Sequence, residues 1–99
     1  MKIKEGVHIP GLKIQMRKTL SIADKIWHNL GQELVITSAL DGTHSAGSLH
    51  YYGFAVDLRT RYFTPQQKEQ ARQALSKALG KAYDVIAHPS HIHVEYDPK

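Results

Sequence analysis

Two short stretches, far apart in the chain, carry residue types that bind metal ions. The first spans residues 48–57 and contains His50 and Asp57; the second spans 91–95 and contains His91 and His93. Two imidazoles and one carboxylate, with a fourth position left to water, form the ligand set of a catalytic zinc ion. The residue types leave open which histidine of the second stretch would be the ligand. They predict one bound divalent ion, most simply zinc.

The first stretch must bend for its two ligands to meet. Residues 54–59 alternate between apolar and other side chains, which indicates a half-buried strand with Asp57 on the face away from its apolar neighbours. A fully extended chain would separate His50 from Asp57 by roughly 23 Å. Gly53 lies between them and can adopt a positive φ, so the chain can fold back there.

The second stretch places both of its histidines on one side of a strand. His91 and His93 lie two residues apart and share a face, while Ile92 and Val94 face the core. A buried carboxylate such as Asp57 is costly without a partner, and a metal ion beside two imidazoles would supply one.

The order and spacing of both stretches resemble a known family. Ser48-x-His50-x-x-Gly53-x-Ala55-x-Asp57, followed by His91-x-His93, is similar to zinc peptidases of the D-alanyl-D-alanine carboxypeptidase and L-alanyl-D-glutamate endopeptidase type. The amino-terminal signalling domain of hedgehog proteins shares that fold, and its sequence is similar in both motifs. The similarity covers about residues 34–97. It implies that His50, Asp57 and His93 are the zinc ligands and that His91 stands next to the metal.

The resemblance also implies a function. It predicts a hydrolase, a zinc metallopeptidase of bacterial or phage (endolysin) origin that cleaves peptidoglycan stem or cross-link peptides with metal-activated water. The alternative is a non-catalytic, hedgehog-like zinc domain that binds a protein or the cell wall. Two departures from the family keep that alternative open. Residues 37–40 replace a Tyr-Arg pair, of which the Arg contacts substrate in many of these peptidases, and the catalytic Glu expected just before the last ligand is missing.

Three residues are candidates for proton transfer and charge stabilisation. We expect His91 to act beside the metal, where it can donate to a developing oxyanion. In place of the missing glutamate, we favour His88 over Glu95 as general base, because a neutral imidazole is a competent base near pH 7. The remaining possibility is that neither acts and the domain is catalytically silent.

The loop before the first stretch supplies candidate substrate contacts. Residues 40–47 are rich in Asp, Gly, Thr, Ser and His, and such loops on a rigid scaffold commonly line sites. We predict substrate contacts from His44, Ser48 and Tyr52. Each has an ordinary alternative: a solvated loop histidine, a hydroxyl that fixes a turn, and a residue shared between core and pocket rim.

Hydrophobic periodicity predicts a single α+β domain over residues 1–99, with a small, mostly antiparallel sheet packed with two helices. Residues 1–11 include a short extended piece at 7–9. The predicted elements are helix 12–30, strand 33–39, strand 54–60, a helix capped by Thr64 and Pro65 and ended by Gly80, strand 83–87, a turn at 88–90 and strand 91–97.

Composition narrows the function classes. The 99 residues carry a net charge of +4 and no cysteine, so a disulfide framework or a cysteine metal cage is excluded. Basic residues are scattered and interrupted by acidic ones, so no nucleic-acid partner is expected. Neither a signal peptide nor a membrane span is indicated. We expect a monomer made in the cytoplasm, which would reach the wall only by export or by release through a partner.

Overall fold

The computed structural model of this chain describes residues 1–7, 12–39 and 54–98. These residues form two helices and five strands: β1 Lys2–Ile3, α1 Ile14–Asn29, β2 Val35–Ser38, β3 Ala55–Arg59, α2 Pro65–Leu79, β4 Tyr83–Ala87 and β5 His91–Tyr96. The predicted α+β class is confirmed, and each predicted helix and strand from residue 12 onward is found within a few residues of its expected bounds.

The strands form one five-stranded sheet in the order β1-β2-β3-β5-β4. β1 runs parallel to β2, and the other three neighbouring pairs are antiparallel. The sequence did not predict β1, because both of its residues are exposed and two residues carry no alternation. Of the extended piece predicted at 7–9, residues 8 and 9 lie outside the described residues.

Both helices contribute to one hydrophobic core on one side of the sheet. Met16, Leu20, Ala23 and Trp27 of α1 are buried there. α2 buries Ala71, Leu75 and Leu79, whereas Ala74 and Ala78, which lie at helical spacing from them, are exposed. The buried stripe of α2 is therefore narrow.

Local signals fix the ends of α2 as predicted. The Thr64 side chain accepts a hydrogen bond from the Gln67 backbone N–H, and the Gln67 side chain accepts one from the Thr64 N–H. This is a capping box, with Pro65 at the first helical position. Gly80 follows the last turn with a φ of 88°, a conformation that favours glycine.

The two central strands separate the core from the opposite face of the sheet. β3 and β5 pair with Val56 opposite Val94 and Leu58 opposite Ile92, and all four side chains are fully buried. Because side chains alternate along a strand, the residues between them project from the face away from the helices. That face, here called the polar face, carries Asp57, Arg59, His91, His93 and Glu95. In the described part of the chain, neither helix has the length and apolar character needed to cross a membrane.

Candidate metal centre

Strand register brings Asp57 of β3 and His93 of β5 directly together. The two residues are cross-strand partners, and Asp57 Oδ1 lies 2.8 Å from His93 Nδ1. Both side chains are mostly shielded, with 19% of Asp57 and 17% of His93 exposed. On the other side of Asp57, the register of β2 shifts between Ile36 and Ser38, which is the signature of a β-bulge. Bulges are common beside active sites because they re-aim side chains.

A second carboxylate contacts the other ring nitrogen of His93. Glu95 lies two residues further along the same strand face, and its Oε1 is 2.8 Å from His93 Nε2. Because an ionised carboxylate can only accept hydrogen bonds, a carboxylate beside each ring nitrogen favours the ring that is protonated on both. The hydrogen bond to Asp57 raises the pKa of His93, burial opposes this, and the bond to Glu95 raises it further.

Two more imidazoles stand at the same end of the hairpin between β4 and β5. The His91 Nε2 lies 3.9 Å from Asp57 Oδ1, close enough for electrostatic attraction but too far for a hydrogen bond. The rings of His88 and His91 stack with centroids 4.7 Å apart, and the His88 ring lies 6.5 Å from that of His93. The turn is closed by the His88 N–H, which donates to the His91 carbonyl. The histidines predicted as catalytic, His88 and His91, therefore adjoin the predicted ligand pair.

The chemistry of this pair fits a zinc ion. Two ligand atoms on a tetrahedral zinc lie about 3.3 Å apart, so the Asp57 and His93 atoms that already face each other need to separate only slightly. Zinc-bound histidines usually donate their second ring N–H to a carboxylate, which is what His93 does toward Glu95. An ion would replace the proton on His93 Nδ1 and leave the bond to Glu95 in place.

The remaining predicted site residues cannot be placed. His44, Ser48, His50 and Tyr52 fall in 40–53, outside the described residues. The convergence of His50 with Asp57 and His93 thus stays a prediction, as do the three substrate contacts.

The polar face also carries an acidic group that the sequence did not predict. Asp84, Glu95 and Asp97 present carboxylate oxygens within 4.8 Å of one another, a spacing that could hold a metal ion. Asp84 and Glu95 are cross-strand partners of β4 and β5. This pairing brings the two carboxylates together, and it can be predicted only when the register of the hairpin is known. Glu95 belongs both to this acidic group and to the His93 contact.

Comparison with known proteins gives no independent assignment. No family model matches the chain, and no match is found among curated proteins.

Proposed function

We propose that this protein is a zinc-dependent peptidase that acts on the short peptides of bacterial peptidoglycan. The observation that carries the proposal is the arrangement of His93, whose Nδ1 faces Asp57 while Nε2 is held by Glu95. The sequence pattern from Ser48 to Asp57 and from His91 to His93 supports the same chemistry through its resemblance to wall-peptide peptidases.

Asp57 and His93 would hold the metal together with His50. When bound, zinc lowers the pKa of its water ligand to about 7 and polarises the scissile carbonyl. His91 lies beside the ligand pair and shares its strand face, so its ring can donate to the oxygen that becomes negative as the peptide bond is attacked.

The proton-transfer roles differ between the two remaining candidates. Glu95 accepts from His93 Nε2, so its carboxylate positions a ligand and is less suited to take a proton from water. His88 is exposed and stacks on His91 at the rim of the cluster. We therefore assign the general base to His88 and a positioning role to Glu95.

The same engagement of Glu95 favours the second candidate function, a zinc domain that binds a partner without catalysis. With Glu95 committed to His93, the described part of the cluster leaves an exposed imidazole in the role that a glutamate fills in the peptidases. If His88 does not act as a base, the site keeps its metal and lacks turnover.

One assay separates these functions. Purified protein is incubated with a synthetic peptide that contains an L-alanyl-D-glutamate and a D-alanyl-D-alanine bond, and the products are separated by chromatography. A peptidase cleaves one of these bonds, loses activity with a chelator and regains it with zinc. Protein that binds zinc stoichiometrically and leaves both bonds intact is the partner-binding domain instead.

A further inference from the structure

A cavity of about 310 Å³ opens at the end of the sheet where β3 finishes. Its lining includes three apolar or aromatic residues, Trp27, Phe63 and Val35, and three cationic residues, Lys2, Arg59 and Arg61. Among the described residues that line it, Glu33 is the one acidic residue. Sites for small ligands commonly combine apolar and aromatic side chains with a few charged groups, as this lining does.

Strand register places lining residues of this cavity on the same sheet face as the candidate metal centre. Arg59 follows Asp57 by two residues on β3, so both lie on the polar face. Its cross-strand partner on β5 is His91. Val35 precedes the core residue Ile36 on β2, so its side chain projects from the polar face. Lys2 is the cross-strand partner of Val35 and therefore lies on the polar face as well. A ligand bound at Asp57 and His93 could therefore extend along the sheet into the cavity.

The cations of the cavity are available to a ligand. Among the described residues, Lys2, Arg59 and Arg61 form no ion pair, although Arg59 is only partly exposed. Arg61 Nη2 donates to the Tyr62 hydroxyl at 2.8 Å, and its guanidinium lies 4.8 Å from the Tyr62 ring centroid. Tyr62 thus fixes the position of the Arg61 side chain and leaves its positive charge uncompensated.

We infer that this cavity binds a carboxylate of the substrate peptide and that Arg59 is the residue that selects for it, an inference that rests on the peptidase function proposed above. Peptides of the proposed class offer two such groups, the terminal carboxylate and the carboxylate of D-glutamate. A guanidinium presents paired N–H donors that match the two oxygens of a carboxylate, so it distinguishes an acid from an amide better than an ammonium does. Recognition of the terminal group would indicate a carboxypeptidase, and recognition of D-glutamate an endopeptidase.

A tryptophan in the cavity lining provides a fluorescence signal for ligand binding. Trp27 is the single tryptophan of the chain, it is 1% exposed, and it lines the cavity while its Nε1–H donates to the Arg59 carbonyl. Its fluorescence should change when a ligand enters, whether or not the ligand is later cleaved. Binding to the cavity can therefore be measured separately from hydrolysis.

The test uses the zinc-loaded protein and four forms of the peptide described above. One form has both carboxylates, one is amidated at the terminus, one at D-glutamate, and one at both. Stopped-flow Trp27 fluorescence gives each dissociation constant before cleavage. We expect the acid form to bind about 10-fold more tightly than the doubly amidated form, the size of one charge-assisted hydrogen bond. The singly amidated form that binds as weakly as the doubly amidated form identifies the recognised carboxylate as the one that was amidated in it.

Three variants make the assignment specific. Arg59→Met should bind acid and amide forms equally, Arg59→Lys should keep part of the preference, and Lys77→Met should match the wild type, because Lys77 is exposed at the far end of α2. Thermal melts confirm that each variant is folded. Equal binding of acid and amide by the wild type, or an unchanged preference in Arg59→Met, would overturn the inference. Hydrolysis is measured separately. Selective binding of the acid form without cleavage would refute the peptidase function and leave the carboxylate site standing. Cleavage without selective binding would refute the carboxylate site and leave the peptidase function standing.

Discussion

Glu95 and His93 lie two residues apart on one face of β5, and the Glu95 carboxylate holds the His93 ring through its Nε2 at 2.8 Å. This contact fixes the orientation of the ring, so Nδ1 points across the strand pair at Asp57. The local periodicity of a strand is enough to create it, since residues i and i+2 always share a face. The nitrogen that we propose as the metal ligand is thereby positioned by its own strand.

The ligand pair itself gives the first prediction. Asp57→Ala or His93→Ala should remove most of the zinc, which is otherwise close to one ion per chain, and should lower the melting temperature in zinc. Binding at such a site contributes to folding, so loss of a ligand reduces both affinity and stability. Elemental analysis and thermal melts with and without zinc check this. Wild-type protein that carries no zinc and melts identically after zinc is added would contradict the metal centre.

Replacement of the positioning carboxylate gives the second prediction. Glu95→Gln keeps the size of the side chain and removes its charge, so the bond to His93 Nε2 weakens. Loss of such outer partners lowers metal affinity by about 10–100-fold. Titration against a chromophoric chelator measures the change.

Asp84→Asn is the matched control, because Asp84 belongs to the acidic group with Glu95, whereas the two ring nitrogens of His93 face Asp57 and Glu95. If zinc lies at Asp57 and His93, this control retains nearly wild-type affinity. Equal losses in Asp84→Asn and Glu95→Gln, with binding retained in His93→Ala, would move the ion to Asp84, Glu95 and Asp97.

The sequence predicted those parts of the fold that depend on local patterns. The helical spacing of Met16, Leu20, Ala23 and Trp27 and the capping signal at Thr64 each act over a few residues, so α1 and α2 were found at their expected places. The alternation around Asp57 also predicted its face correctly. Such signals require no knowledge of which strands pair.

Features that depend on strand register could not be predicted in the same way. The two residues of β1 join the sheet through backbone bonds to the chain around Leu34 and Ile36, and nothing in their types requires this. The cavity arises where β1, β2 and the end of β3 meet, so it too follows from pairing. The sequence likewise placed Glu95 on the His93 face but did not reveal that their side chains bond.

The raised pKa of His93 gives the third prediction, for protein freed of metal by a chelator. The folded state binds the proton more tightly than the unfolded state, whose histidine has a pKa of about 6.5. The stabilisation is therefore fully present below pH 6.5 and is lost as the pH rises through the higher folded pKa. Urea unfolding between pH 5.5 and 8.5 should show a larger loss of stability in wild type than in His93→Gln. Parallel pH profiles for the two proteins would show that the carboxylates do not hold this proton.

The position of His91 gives the fourth prediction. Its Nε2 lies near Asp57 without bonding to it, which suits a group that acts beside the metal. His91→Ala should reduce kcat by roughly 10²-fold, the usual effect of removing one oxyanion donor, and should leave the zinc content near that of wild type. Peptide hydrolysis and elemental analysis on the same preparation test both parts. Zinc loss as severe as in His93→Ala would make His91 a ligand.

The last prediction concerns the general base. His88 stands on the turn before β5, where its backbone N–H donates to the His91 carbonyl. The His88 carbonyl accepts a hydrogen bond from Lys68 Nζ at 3.1 Å. These bonds fix the backbone and use no atom of the His88 ring, so the ring can be replaced without opening the turn. His88→Ala should abolish hydrolysis while zinc is retained, because the group assigned to accept the proton of the attacking water is then absent.

His88→Glu restores the residue type that the resembling peptidases use as the base. It should retain or increase hydrolysis, and the acidic limb of the pH–rate profile should move to lower pH, because a carboxyl group titrates below an imidazole. Lys77→Met, a change at an exposed residue in the last turn of α2, should leave the rate and the profile unchanged. If His88→Ala cleaves the peptide as fast as wild type, His88 is only a turn residue. The base would then be Glu95, and Glu95→Gln would have to lower kcat at saturating zinc.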